Sequence, residues 1–519
     1  MSTAAAVAAG EAHATEQGVA AAGTAVGVTV LCYFMHRKLD FRHAEVEALA
    51  ELVGCPKLGQ PGAVEWGRPH GGDWVSPFWY LTLPSLDTAV AIARRSVLVK
   101  GFFELWGEGS TWEEMRQAVE VHAKLTRRDD MPTMHTTPPS AHHLARQEFP
   151  AERKLPFLTS SSTFKVQCEN FGETFTQGEI LKTIDKLCEF IPFQGKVKLK
   201  NPEHTFWLFR VSLDEDSGLP ELPERWYFGR QVAVCDRTFL SRYELAKRPY
   251  IGTTSMEVEL AHLMCNMAHV RAGTMAYDPF VGTGGLLVAA SHYGAVTLGM
   301  DIDIRVIRTG KSDIRGKRVD LYSNFAQYGL NDPAGLLRAD THRPPFRPGL
   351  TEWVDAIICD PPYGIRESAR KSEHRDVVIT QPETYIPSTQ PYYLGECLFD
   401  LVEFAARMLR VGGRLVYWMP SAPGLYEVHE LPCHPVMKLR HNCEQHLTSR
   451  YTRRLITLEK VAALDEPAAA AWRAVRGDAI MKIDAIPKRV FQVMEKDENG
   501  APLHPELLVN KQKFRGKDV

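Results

Sequence analysis

From residue 253 onward the apolar positions gather into short blocks that end in an acid or run into a glycine-rich turn. The blocks 274–278, 296–301, 336–340, 354–360 and 414–419 read as strands, and stretches with helical spacing separate them. Strand, turn and helix in succession predict a parallel, doubly wound α/β sheet over 253–465. Leu260, Leu263, Met264 and Met267 mark its leading helix by their three- and four-residue steps. Thr254, with Glu257 three positions later, forms a capping-box signature ahead of that helix.

Before residue 253 the pattern is mixed. A first α+β unit is expected over 26–155. It opens with a β-branched strand at 26–35 and a helix that turns Phe41, Val46 and Leu49 inward and Glu45, Glu47 and Glu51 to solvent. Strands at 79–83 and 97–105 and a helix at 111–121 follow. A second small unit, 156–215, has a strand from Ser162 and a helix with Ile180, Ile184, Leu187 and Ile191 on one face. The alternation at 196–200 would place Lys196, Lys198 and Lys200 on one face of another strand, and 205–210 completes the unit. Residues 216–252 read as a linker. An alanine-rich start, 1–25, is expected to be disordered, and 466–519 to be a tail with a basic end at Lys513, Arg515 and Lys517.

Composition narrows the class. A chain of 519 residues is too long for one ordinary core, and its 44% hydrophobic and 24% charged content suits a soluble globular protein. The net charge of −2 gives no global sign of a polyanionic partner, so any nucleic-acid contact must be local. Ten cysteines without a Cys-x-x-Cys pair point to a reducing compartment. The apolar run at 26–35 is too short to span a bilayer and the alanine-rich start lacks a basic opening, so a cytoplasmic protein without a membrane partner is expected.

The chemistry-bearing residues all fall where strands end, which is where open α/β sheets bind ligands. Asp278-Pro279-Phe280-Val281-Gly282-Thr283-Gly284 follows the first strand, Asp301 ends the second, Asp340 the third and Asp360 the fourth. The glycine turn matches neither a dinucleotide nor a triphosphate loop. It suits a cofactor without a pyrophosphate, S-adenosylmethionine. Asp301 is then the ribose acid and Asp340 the partner of the adenine amino group.

Asp360-Pro361-Pro362-Tyr363 carries the reaction. An exocyclic base amine is a poor nucleophile because its lone pair is delocalised into the ring. The Asp360 carboxylate and the Pro361 carbonyl can accept its two N–H bonds and aim the lone pair at a methyl group. The prolines hold the backbone rigid, and Tyr363 can stack on an extruded base. A carboxylate can also take the proton the amine discards. Guanine, whose edge offers adjacent donors at N1 and N2, suits it. Adenine-N6, or guanine at another position of the nucleic acid, stays open as a target, and a non-catalytic nucleic-acid-binding scaffold is the contrasting class.

Three strings together, 247–256 (Lys-Arg-Pro-Tyr-Ile-Gly-Thr-Thr-Ser-Met), 278–285 and 360–367 (Asp-Pro-Pro-Tyr-Gly-Ile-Arg-Glu), resemble the catalytic subunit of the tRNA (guanine(10)-N2)-methyltransferase family. The resemblance covers the catalytic domain closely. It extends more loosely to a THUMP-like unit at 156–215 and a ferredoxin-like unit at 26–155. It implies a Rossmann-like class I methyltransferase domain, S-adenosylmethionine, N2-methylation of guanosine 10 in tRNA, and a small zinc-binding activator protein as heterodimer partner. It also implies cofactor contacts at Asp278, Pro279, Phe280, Gly282, Gly284, Asp301 and Asp340. The polar stretch 368–392 carries little family signature and is expected to border the site as a lid or RNA-contacting loop.

Weaker signals remain. Lys196, Lys198 and Lys200, and Arg366, Arg370 and Lys371 beside the motif, are candidate RNA contacts. Cys433, His434, His441, Cys443 and His446 lie close in sequence but lack the paired spacing of a zinc knuckle, so no metal is assigned to this chain.

Overall fold

The computed structural model of the chain describes residues 27–68, 75–124, 154–212, 222–252, 254–313, 315–363, 370–372, 389–421, 426, 431–448 and 451–492. The expected disorder of 1–25, the basic end near residue 515, and Arg366 lie outside these residues.

The N-terminal half is one sheet rather than two units. Its strands are β1 (Val28–Phe34), β2 (Glu65–Gly67), β3 (Phe78–Leu83), β4 (Val99–Gly109), β5 (Thr163–Phe171), β6 (Lys196–Val197), β7 (His204–Val211) and β8 (Arg225–Val234). They run in the order β2-β3-β1-β4-β8-β7-β5-β6. The expected linker 216–252 therefore contains β8, which is paired to β4 on one side and β7 on the other and joins the two expected units. Its Tyr227 and Phe228 are buried, while the rest of its apolar surface is spread too thinly to announce a strand. Among the described residues, the helices on this sheet are α1 (Arg42–Leu52), α2 (Leu86–Ala93), α3 (Trp112–Lys124) and α4 (Gln177–Phe190).

The second half is the expected doubly wound domain. Helix α5 (Val258–Met267) leads to β9 (Met275–Asp278), α6 (Gly285–His292) and β10 (Val296–Asp301). A small hairpin, β11 (Lys311–Ser312) and β12 (Arg318–Val319), precedes α7 (Leu321–Tyr328) and β13 (Gly335–Arg338). Then come β14 (Val354–Cys359), a second hairpin of β15 (Arg370–Ser372) and β16 (Thr389–Pro391), and α8 (Leu394–Met408). β17 (Leu409–Ser421), β18 (Met437–His446), β19 (Thr452–Lys460) and α9 (Glu466–Gln492) complete it. The sheet order is β13-β10-β9-β14-β17-β19-β18, parallel from β13 to β17 and antiparallel beyond. Strand order reverses beside β9, whose neighbours are β10 and β14. That switch point opens a crevice at the strands' carboxyl ends, between the turn after β9 and the turn after β14.

Four expectations change. Glu45 and Glu47 of α1 are buried, because α1 lies between its own sheet and α5. Glu45 accepts from Ser96 Oγ (2.7 Å), the N–H groups of Val97 (2.8 Å) and Leu98 (3.0 Å), and Asn266 Nδ2 (2.8 Å). The capping box at Thr254 is absent: Glu257 is the N-cap residue of α5 but makes no side-chain cap, and its carboxylate takes Lys38 Nζ at 2.9 Å instead. Residues 466–492 of the expected tail form α9, with Ile483 and Ile486 in the core against α8. At 196–200 only two residues are strand and all five are exposed, so the three lysines do not share one strand face.

Candidate active site

The turn after β9 is built to approach a ligand. Gly284 caps α6 at φ +79°, and a Cβ there would sit 2.8 Å from Leu321 Cγ, so the close seat of α7 also requires glycine. Gly282, at φ +49°, has open space above it: the nearest atom to a built Cβ is the Phe280 carbonyl at 3.9 Å. Asn324 of α7, fully buried, donates to the carbonyls of Thr283 (3.1 Å) and Tyr250 (2.8 Å) and accepts the Tyr250 N–H (3.0 Å). This ties the segment before α5 to the glycine turn. Ser255 Oγ and Thr283 Oγ1 close the same junction at 2.9 Å.

The acids divide the work. Asp278 is only 1% exposed, and its Oδ1 accepts the Phe280 N–H at 3.0 Å, shaping the turn from beneath. Burial pushes its carboxyl well above the ordinary range; the Phe280 N–H opposes this, and the charges of Asp301 and Asp360 add to it. Asp301 accepts Gly282 N–H at 3.0 Å and Asp303 N–H at 2.8 Å, one on each oxygen, which aims the carboxylate across the turn. Asp340 is buried; it accepts Arg343 N–H at 2.8 Å on Oδ1 and both Ser372 N–H and Oγ at 2.6 Å on Oδ2. Pro279 is buried, and Phe280 packs against Tyr392 and Cys397.

On the other side of the crevice, Asp360 leaves β14 with Pro361 buried and Pro362 half-buried behind it. Tyr363 donates its hydroxyl to Asp360 Oδ1. Burial and then the Asp360 charge push that hydroxyl far above its ordinary range, so it stays protonated and remains a donor. Arg453, from β19, completes the group. Its Nη1 lies 3.8 Å from Asp360 Oδ2 and 3.5 Å from Tyr363 OH, its Nε donates to Gln445 Oε1 at 2.8 Å, and its guanidinium stacks over Trp418 at 3.9 Å. Arg453 had no signal in the sequence, because strand pairing brings it across 90 residues.

The residue set fits S-adenosylmethionine. The charges of Asp301 and Asp360 both reach Asp278, an arrangement suited to a cationic sulfonium and hostile to a phosphate. The open space over Gly282 gives the backbone a close approach, and the Asp301 carboxylate beside it is an acceptor of the kind a ribose hydroxyl needs.

The expected RNA contacts separate. Lys196, Lys198 and Lys200 are exposed. Arg370 is exposed, but its guanidinium is bonded to Thr389 across the β15–β16 hairpin. Lys371 is turned inward by strand alternation: it is buried and paired with Glu396, which removes it from any RNA surface. That pair and the Ser372–Asp340 bonds hold Lys371 and Ser372 beside Asp340, while 368–369 and 373–388 of the expected lid or RNA-contacting stretch lie outside the described residues. The cysteine–histidine group does not converge. His434 packs on Trp472, His441 pairs with Glu47 at 3.1 Å, and Cys443 lies in the core with Trp418. Among the described residues, no helix is long and apolar enough to cross a membrane.

Residues 28–132 and 141–237 match the family described as Tmrp11 THUMP N-terminal domain, and residues 246–375 match the RMKL-like methyltransferase domain. The chain is 38% identical over 445 residues to a rat (Rattus norvegicus) tRNA (guanine(10)-N(2))-methyltransferase, TRMT11, spanning 83% of this chain and 87% of that one. The human protein of that name is 38% identical over 442 residues, with 82% and 86% covered. The tRNA (guanine(10)-N(2))-methyltransferase of Saccharomyces cerevisiae is 32% identical over 443 residues, with 82% and 92% covered.

Proposed function

The chain belongs to the tRNA (guanine(10)-N2)-methyltransferase family, and from that premise we propose how its residues divide the reaction. The enzyme methylates the exocyclic N2 of guanosine 10 in tRNA, with S-adenosylmethionine as cofactor. When bound, the cofactor supplies an electrophilic methyl group on a sulfonium. Asp301 and the turn from Asp278 through Pro279, Phe280 and Gly282 to Gly284 would hold it, and Asp340 would meet its adenine end. Asp360 accepts one N–H of the guanine amine, the Pro361 carbonyl accepts the other, and Pro362 keeps that carbonyl fixed. The nitrogen lone pair is thereby turned toward the methyl, and the proton the amine loses passes to the Asp360 carboxylate. Tyr363, tied to Asp360 through its hydroxyl, stands beside the base. One observation supports this most: the glycine turn and the Asp360 rim flank the same switch-point crevice.

The exposed Lys196, Lys198 and Lys200 suit phosphate contact by the N-terminal sheet. The family resemblance also supports a heterodimer with a small zinc-binding activator protein and work in the cytoplasm. Incubating the chain with unmodified tRNA and S-adenosylmethionine, with and without the activator, and digesting the product to nucleosides tests the assignment. N2-methylguanosine at position 10 is expected. Methyl incorporated on adenine, or on a different guanosine, would overturn it.

A further inference from the structure

Between Asp301 and α7 the chain makes a short arm that packs on the core through Val306, Ile307 and Val319 and leaves its charged residues outside. Residues 303–318 hold Arg305, Arg308, Lys311, Arg315, Lys317 and Arg318 against only Asp303 and Asp313, in a chain whose net charge is −2. All six cations are exposed. The two acids do little to neutralise them. Asp303 is taken by Arg305 in a forked pair (Nη2 to Oδ2, 2.6 Å), and Asp313 Oδ1 accepts the backbone N–H groups of Arg315 and Lys317 at 2.8 Å. Lys311 donates to the Ile251 carbonyl at 2.6 Å, and Arg318 to the Arg308 carbonyl. Among the described residues, Arg308, Arg315 and Lys317 have no carboxylate partner.

Packing does not explain this charge. The hairpin's two strands have two residues each, and of these four only Val319 is buried. Six like charges on so small an element repel one another with little core formed in return, which favours a polyanionic partner. The position is equally telling. The arm springs from Asp303, two residues after Asp301, whose N–H that acid holds, and Lys311 pins it to the segment that flanks the glycine turn. It therefore stands on the rim of the crevice, beside the cofactor acid and across β9 from Asp360.

We propose that the basic arm 303–318 grips the phosphate backbone of the tRNA as its target base enters the site, with Arg308, Arg315 and Lys317 as the contacting cations. This rests on the reading of the chain as a tRNA methyltransferase and adds a second RNA surface, distant in sequence from the N-terminal sheet. Arm and Asp360 rim then bracket one base, so that phosphate contacts set register while the crevice reads the base.

The test is the affinity of the full-length chain for an unmodified tRNA transcript, measured between about 50 and 200 mM salt. The triple variant R308Q/R315Q/K317Q is expected to bind about tenfold more weakly at the low end, with a log–log salt slope shallower by about 2. Cofactor affinity and thermal midpoint should not move, since all three side chains are exposed. R308K/R315K keeps the charge and should keep the slope. An unchanged transcript affinity and slope in the triple variant would overturn the arm's role. A wild-type chain that forms no N2-methylguanosine would instead sink the underlying reading, so the two failures are distinguishable.

Discussion

Asp360 does not act alone in this fold. Its Oδ1 receives the Tyr363 hydroxyl and its Oδ2 faces Arg453, so the carboxylate is held in place from both sides. The side chain is a quarter exposed, toward the crevice where the amine must arrive. The Arg453 guanidinium lies 3.8 Å from Asp360 Oδ2, a cation placed against that carboxylate. A guanidinium beside a carboxylate favours its ionised form, and on the proposed mechanism it is the ionised form that takes the amine's proton. Arg453→Gln is accordingly expected to lower kcat about tenfold, the equivalent of about 1.4 kcal/mol, with cofactor affinity unchanged. The acidic limb of the pH–rate profile should move to higher pH, because loss of the cation favours the protonated acid. Arg453→Lys should restore part of both. A fall in kcat without any movement of the limb would make Arg453 merely structural. Asp360 was legible because four consecutive residues carry its meaning. Arg453 was not, since an arginine within a strand looks the same whether it meets solvent or an active-site acid.

At the scale of elements, periodicity served well wherever one face of an element is buried by its own sheet. The strands of the doubly wound domain fall within a few residues of their expected bounds, because continuous apolar runs such as β14 are buried on both faces. It failed where burial comes from elsewhere in the chain. α1 reads as a helix with an exposed glutamate face, yet α5 covers that face and Glu45 satisfies two backbone N–H groups of the β4 approach. α9 reads as a tail because its apolar residues are sparse. It holds through a close helix contact at Gly395, where a Cβ would lie 2.5 Å from the Ile480 carbonyl, and through Gly395 N–H donating to Asp484 at 2.7 Å. β8 was hidden by an acidic, proline-bearing approach. No local pattern states that a strand after such a stretch will return to the middle of a sheet.

At the scale of the whole molecule, buried charges join the two halves beside an apolar cluster that both share. Arg414 of β17 is 1% exposed and is paired with Glu51 of α1 and, at 3.1 Å, with Glu459 of β19, which also takes Lys57 and Arg440. Burial alone would raise Glu459, but Arg440, Lys57 and Arg414 outweigh it and hold the carboxyl at about 2, below its ordinary 4.5. A depressed acid stabilises the fold fully above its unfolded value and loses that contribution as pH falls through the folded one. The loss therefore runs from about pH 4.5 to about pH 2 and amounts to something on the order of 3 kcal/mol. Glu459→Gln should be less stable at neutral pH and should show a flatter acid-unfolding curve in that window. An unchanged acid profile would remove Glu459 from the interface.

On the proposed reading the arm, the N-terminal sheet and the crevice meet one tRNA together, and what they position converges on the Asp360 carboxylate. The most direct test is single-turnover methyl transfer to unmodified tRNA by Asp360→Ala, with cofactor and tRNA affinities measured on the same protein. A rate lower by about 10²–10⁴-fold is expected, with both affinities within a few-fold of wild type. A rate within a few-fold of wild type would contradict the account.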